Sequence, residues 1–186
     1  MTSAQEEASR LYALAKSYNL EEMETIPLIL EILGEAIDSS PDIWEAYMTR
    51  VAVYSHLITI RYYNIGNMRD LSKEELLDDI AENYYNLACD DIDFLKRHQE
   101  NAYAQLCWIN AVLSLDVSRV YKYNKYSNGF YTHIKNAKEK ARNFINGTSI
   151  NAIMHINKEN LIYEERAKDT IQLCKKSIAF FDNLCN

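Results

Sequence analysis

The chain has 186 residues, 48% of them hydrophobic, with four glycines, two prolines and a formal charge of −7. That length suits one compact domain spanning residues 1–186, and so few turn residues exclude a strand-rich fold built on tight hairpins. The acidic balance disfavours a nucleic-acid surface, because phosphate binding is driven by lysine and arginine. Met1-Thr2-Ser3-Ala4-Gln5-Glu6-Glu7 is polar and acidic, so it does not read as a secretory signal. No uncharged apolar run approaches the roughly 18 residues a membrane span needs. Cys89, Cys107, Cys174 and Cys185 lack any C-x-x-C pairing, and three of them fall on helical apolar stripes, where cysteine acts as a small hydrophobe. Asn146-Gly147-Thr148 reads as a turn rather than a glycosylated site. The expected compartment is the cytoplasm, with no membrane contact and no cofactor.

In chain order, a first helix is expected from about Ala4 to Tyr18, with Leu11, Leu14, Ala15 and Tyr18 on one face. Leu20 to Thr25 connects it to a second helix whose first turn holds Pro27, where a missing N–H costs nothing. Ile29, Leu33 and Ala36 carry that helix to Ser39-Ser40-Pro41, where proline stops it. A third helix follows, with Ile43, Ala46, Tyr47, Val51, Tyr54, Leu57 and Ile58 on a broad apolar face, running on to a break at Asn64-Ile65-Gly66-Asn67. Ser72 with Glu75 reads as the capping box that opens a fourth helix carrying Ala81, Tyr85 and Ala88. A fifth begins near Glu100 with Ala102, Tyr103, Leu106 and Cys107. A sixth spans about Phe130 to Ile145 and stops at Asn146-Gly147. The last segment, Ser149 to Leu184, breaks at Asn157-Lys158-Glu159-Asn160 and carries Ala167, Ile171, Cys174, Ile178 and Phe181.

The fold class is therefore all-α, with seven or eight helices in antiparallel hairpins. The spacing resembles the tetratricopeptide repeat: Leu11, Leu14, Ala15, Tyr18, Ala36 and Pro41 in the first pair, then Tyr47, Val51, Tyr54, Ala81, Tyr85 and Ala88 in the second. Arg50 stands where that family usually has leucine. Ala102, Tyr103, Leu106 and Cys107 repeat the arrangement of Ala46, Tyr47, Arg50 and Val51. The resemblance implies an α-α superhelix; a four- or five-helix bundle is the competing architecture.

It also implies a groove lined by first-helix side chains: Tyr12, Lys16 and Asn19, then Met48, Thr49, Ala52 and His56, then Gln105 and Trp108. This set lacks the paired lysines and asparagines with which some family members clamp a terminal carboxylate. The expected function is a non-catalytic scaffold that binds a peptide or helix of another protein. Met48 and Trp108 would supply apolar contact, and Lys16, Asn19 and Gln105 would orient the ligand backbone.

Other constellations are weaker. Asp90-Asp91-x-Asp93 invites a magnesium reading but reads better as a solvated helix face, since no second acidic cluster faces it. His56, His98, His133 and His155 are too scattered for a metal site. Arg50 and His56 form the alternative of a small all-α nuclease or toxin-type enzyme, as phosphate clamp and general acid/base. Residues six apart on a helix nevertheless point about 240° apart. Tyr62, Tyr63, Tyr121, Tyr123, Tyr126 and Tyr131 are interface candidates, and Arg119, Lys122 and Lys125 interleave with some of them in a manner that could meet nucleic acid. A third reading is a structural subunit that self-associates through Ile171, Cys174, Ile178 and Phe181 of the last helix.

Overall fold

Residues 2–65, 71–125, 127–147 and 161–186 are described by a computed structural model, and these form an all-α fold. The helices are α1 (Ser3–Ser17), α2 (Ile26–Ser39, entered by a 3-10 turn at Met23–Thr25), α3 (Trp44–Ile65), α4 (Leu71–Arg97), α5 (Ala102–Arg119, leaving by a 3-10 turn at Val120–Lys122), α6 (Asn128–Asn146) and α7 (Leu161–Cys185). The Asn157–Asn160 break, Tyr126, His155 and the Gly66-Asn67 half of the other break lie outside the described residues.

Local chemistry explains most boundaries. Thr2 caps α1: its hydroxyl accepts from Gln5 N–H at 3.3 Å, and the Gln5 side chain accepts from Thr2 N–H at 2.9 Å. Pro27 sits in the first turn of α2 as expected, and Ser40 N–H closes that helix on Ala36 C=O ahead of Pro41. Asn101 caps α5 through Tyr103 and Ala104 N–H, and Ser127 caps α6 through Phe130 N–H. The α4 helix is described from Leu71 onward. Leu71 is already helical, and the side chain of the expected Ser72 cap lies outside the described residues.

Cross-helix contacts fix the directions. Gln5 reaches Asp42 and Tyr12 meets Thr49, so α1 and α3 run the same way. Tyr47 stacks on Phe94, Arg50 bonds Asp91 and Tyr62 bonds Glu82, so α4 runs against α3. Tyr103 meets Arg166 and Asn110 meets Thr170, so α5 and α7 are parallel. α2 packs on both α1 and α3 across short links and reverses between them. Helices α1/α2 and α3/α4 form the two expected hairpins. Beyond them the pairing changes, because α5 packs more on α7 than on α6, and α6 packs chiefly on α7.

Two cores result. Leu11, Ala15, Ile29, Leu33, Ala36, Ala46, Val53 and Leu57 join α1, α2 and α3. Tyr47, Val51, Ile58, Ala81, Ala88, Leu95, Leu106 and Cys107 join α3, α4 and α5 and continue into Ala167 and Cys174 of α7. Each fully buried Ile or Leu contributes about 1.5–3 kcal/mol by leaving water.

The terminal-helix stripe is a correction. Its buried members are Ala167, Thr170, Cys174, Ser177 and Phe181, whereas Ile171 and Ile178 are half-buried. Small residues let α7 approach α5 closely. Thr170 can be buried because its hydroxyl donates to Arg166 C=O at 2.7 Å and accepts from Asn110 Nδ2 at 2.5 Å; Asn110 also donates to Leu106 C=O at 2.8 Å. Of the four residues expected to self-associate, Cys174 and Phe181 lie inside the fold and Ile171 and Ile178 pack partly against the core.

That buried bond yields a test. Thr170→Val keeps the shape but removes the acceptor facing Asn110, and should destabilise the chain by about 1–3 kcal/mol in urea unfolding, with an unchanged denaturant slope.

Candidate functional site

Helix α3 carries the candidate site because it is packed against α2, α4 and α5, while α1 reaches it through the Tyr12–Thr49 hydrogen bond. Ala46, Tyr47, Val51, Val53, Tyr54, Ser55, Leu57, Ile58 and Tyr62 are buried. One stripe remains: Glu45, Met48, Thr49, Ala52, His56 and Thr59 are half-buried, and Tyr63 is 68% exposed. The steps of three and four residues place them on one line along the helix. Thr49, Ala52 and Thr59 are the short side chains of the stripe.

At the Glu45 end, side chains from four helices come together. Thr49 Oγ1 donates to Tyr12 Oη of α1 at 3.3 Å, and Arg166 Nε of α7 donates to Tyr103 Oη of α5 at 3.4 Å. Burial raises the Tyr103 phenol above its ordinary value, the Arg166 bond opposes that rise, and the Glu45 carboxylate adds to it. Burial also raises Tyr12, the Thr49 bond opposes it, and the charges of Glu45 and Arg166 act in opposite directions. Cys107 lies in the same neighbourhood, fully buried, with its thiol pushed up by burial first and by Glu45 second. It therefore remains a protonated packing residue.

The structure brings some of the expected groove residues together and separates others. Tyr12, Met48, Thr49, Ala52 and His56 share the α1/α3 face. Lys16 is exposed beside Tyr12, its ammonium 5.8 Å from the ring centroid. Asn19 is exposed, but its Oδ1 accepts from Glu21 N–H at 3.0 Å and serves the turn after α1. Gln105 and Trp108 are half-buried on α5, and Trp108, like Met48, packs against the larger core. The α5 residues near Glu45 and Arg166 are Tyr103 and Cys107, and an advance of 100° per residue turns Trp108 about 100° and Gln105 about 160° from Cys107. Trp108 Nε1 is shut from solvent without a hydrogen-bond partner. The missed members are Glu45, Tyr103 and Arg166. Glu45 was visible as the i−4 neighbour of Thr49; nothing in the spacing placed α7 beside α5.

The other candidates resolve into structural roles. Arg50 is bound on both sides by Asp91, at 2.7 and 2.5 Å, with Asp91 buried. Thus the acidic run is solvated at Asp90 and Asp93 but not at Asp91. Tyr47, stacked between this pair and Phe94, has its phenol pushed up to about 12, chiefly by burial. Tyr62 is buried and donates to Glu82 at 2.9 Å, which corrects its reading as a surface residue. Arg119 and Lys122 bond the same Glu82 oxygen at 2.9 and 2.6 Å, and Arg119 lies 3.7 Å from the Tyr85 ring centroid. Although burial opposes it, these donors hold the Glu82 carboxyl below its usual range. Tyr123 packs on His133, while Tyr121 and Tyr131 are exposed. Among the described residues no group of three His, Cys, Asp or Glu side chains could hold a metal ion, and no helix is long and apolar enough to cross a membrane.

No protein-family model, curated protein or solved structure matches the chain.

The Arg50–Asp91 pair generates a prediction. Arg50→Ala strands a buried carboxylate and should cost about 3–5 kcal/mol in urea unfolding, whereas Arg50→Leu with Asp91→Leu should recover most of the loss. A double variant as unstable as the single one would contradict the assignment.

Proposed function

We propose that this chain is a non-catalytic scaffold that seats a peptide or helix of a partner protein along α3. The carrying observation is the stripe Glu45, Met48, Thr49, Ala52, His56 and Thr59, left half-open on a helix otherwise enclosed by its neighbours. The residues at its centre are short, and hydroxyl, imidazole and carboxylate groups along it offer polar partners. Tyr12 and Lys16 of α1 form one wall. The resemblance of α1–α4 to tetratricopeptide pairs supports the same reading, since such pairs present first-helix side chains to extended or helical ligands.

A nuclease built on Arg50 and His56 has less support. Both arms of Arg50 are engaged by Asp91, and His56 points away from it around α3. A phosphate would have to displace a buried carboxylate to reach the guanidinium.

The test is a selection of random dodecamer peptides, displayed on phage, against the whole chain. Peptides enriched by the wild type should bind Ala52→Trp at least tenfold more weakly, because the indole fills the centre of the stripe. Leu28→Glu, on the exposed side of α2, should leave their affinity unchanged. Enriched peptides indifferent to Ala52→Trp, or no enriched peptides at all, would overturn the proposal.

A further inference from the structure

Charge is divided unevenly along this chain. Residues 2–42 hold nine aspartates and glutamates against two lysines and arginines, whereas residues 117–147 hold seven lysines and arginines against one glutamate. The charged residues outside the described parts, Arg69, Asp70, Lys158 and Glu159, cancel in pairs, so the described helices carry the whole imbalance. The fold keeps the two groups on different helices. α1 packs on α2 and α2 on α3, whereas α6 packs on α7, α5 and the 3-10 turn at Val120–Lys122.

Each group shapes a surface. On α6, Tyr131, Lys135, Lys138 and Arg142 follow at steps of four, three and four residues, which puts them in one row along the helix. Tyr131, Lys135 and Arg142 are exposed, and Lys138 bonds Asp182 of α7. Elsewhere in residues 117–147 carboxylates are already built in: Glu82 bonds Arg119 and Lys122, and Asp116 bonds Lys140. The turn between α1 and α2 presents the opposite character. Glu21, Glu22 and Glu24 surround Met23, all four exposed, and Leu14 is exposed near the end of α1. The tip thus has carboxylates around an apolar side chain, and the row has cations beside an aromatic ring.

We propose that the α1/α2 tip of one copy docks on the α6 row of a second copy, with Glu21, Glu22 and Glu24 meeting Lys135 and Arg142 and Met23 meeting the Tyr131 ring. The two surfaces differ, so the contact is heterologous, and every copy carries both halves of it. Opposite charges across such a contact raise the encounter rate and fix the partner's orientation, while thioether and aromatic ring attract at short range. The net charge of −7 opposes association only weakly, because charges farther apart than the Debye length, about 8 Å at physiological salt, are screened. A nucleic acid fits the row less well. Its affinity grows with the number of phosphates neutralised, and the row offers two exposed cations on a chain with an acidic excess.

Sedimentation velocity on the whole chain reads this contact. At about 20 mM salt the weight-average mass of the wild type should rise with concentration above the monomer's 21.7 kDa, and at about 0.5 M salt, where screening is strong, it should return to that value. Lys135→Glu/Arg142→Glu and Glu21→Lys/Glu24→Lys should each weaken association by about tenfold or more. All four residues are exposed, so both variants should keep the wild-type circular dichroism. An equimolar mixture of the two variants should associate again, because the reversed row then faces the reversed tip and the native row the native tip. Wild type that stays at the monomer mass in low salt would overturn the proposal, whether or not it retains a labelled oligodeoxythymidylate. So would association unchanged by either reversal, or a mixture as dissociated as its components.

Discussion

Everything in this fold depends on how thoroughly α3 is enclosed. Its 22 residues receive α2, α4 and α5, and nine of its side chains are buried. A helix surrounded in that way cannot be strongly amphipathic: its apolar residues go nearly all round, and the few polar ones must be placed against specific partners. Each neighbouring helix is therefore positioned by what it offers α3. α2 supplies Ile29, Leu33 and Ala36. α4 supplies Ala81, Ala88, Leu95 and the Asp91 carboxylate. α5 supplies Leu106 and Cys107.

The charged residues that break apolar stripes are the second organising feature. Arg50 falls between Tyr47, Val51 and Tyr54, and Asp91 between Ala88 and Leu95, so each alone would be a costly intrusion into the core. Together they satisfy one another with two-armed geometry and fix the register of α3 against α4, since a slip of one turn would strand both. Glu82 does the same at the other end of the pair, gathering Tyr62, Arg119 and Lys122.

Helical periodicity made the elements legible. Leu11, Ala15, Leu33, Ala36, Val51 and Ala88 all occupy the buried faces that their spacing indicates, and Pro27 and Pro41 mark the ends of α2. Arrangement was less legible. The partners of Arg50 and Asp91 are 41 residues apart, and no local pattern joins them. The α3 stripe could be read because Thr49, Ala52 and His56 follow one helix. The α5 contribution could not, because it depends on the rotation of α5 about its axis. That rotation is set by Asn110 and Thr170, two polar residues whose burial becomes favourable only once they meet. In α7 the same pair displaced the apolar stripe by one position, from Ile171 and Ile178 to Thr170 and Ser177.

Amide hydrogen exchange under native conditions tests the enclosure of α3 most directly. The account predicts that amides from Val51 to Ile58 exchange slowest in the chain and open only with global unfolding, while those of α1 and the outer turns of α6 exchange by local opening. Exchange in α3 as fast as in α1 would contradict the central place given to that helix.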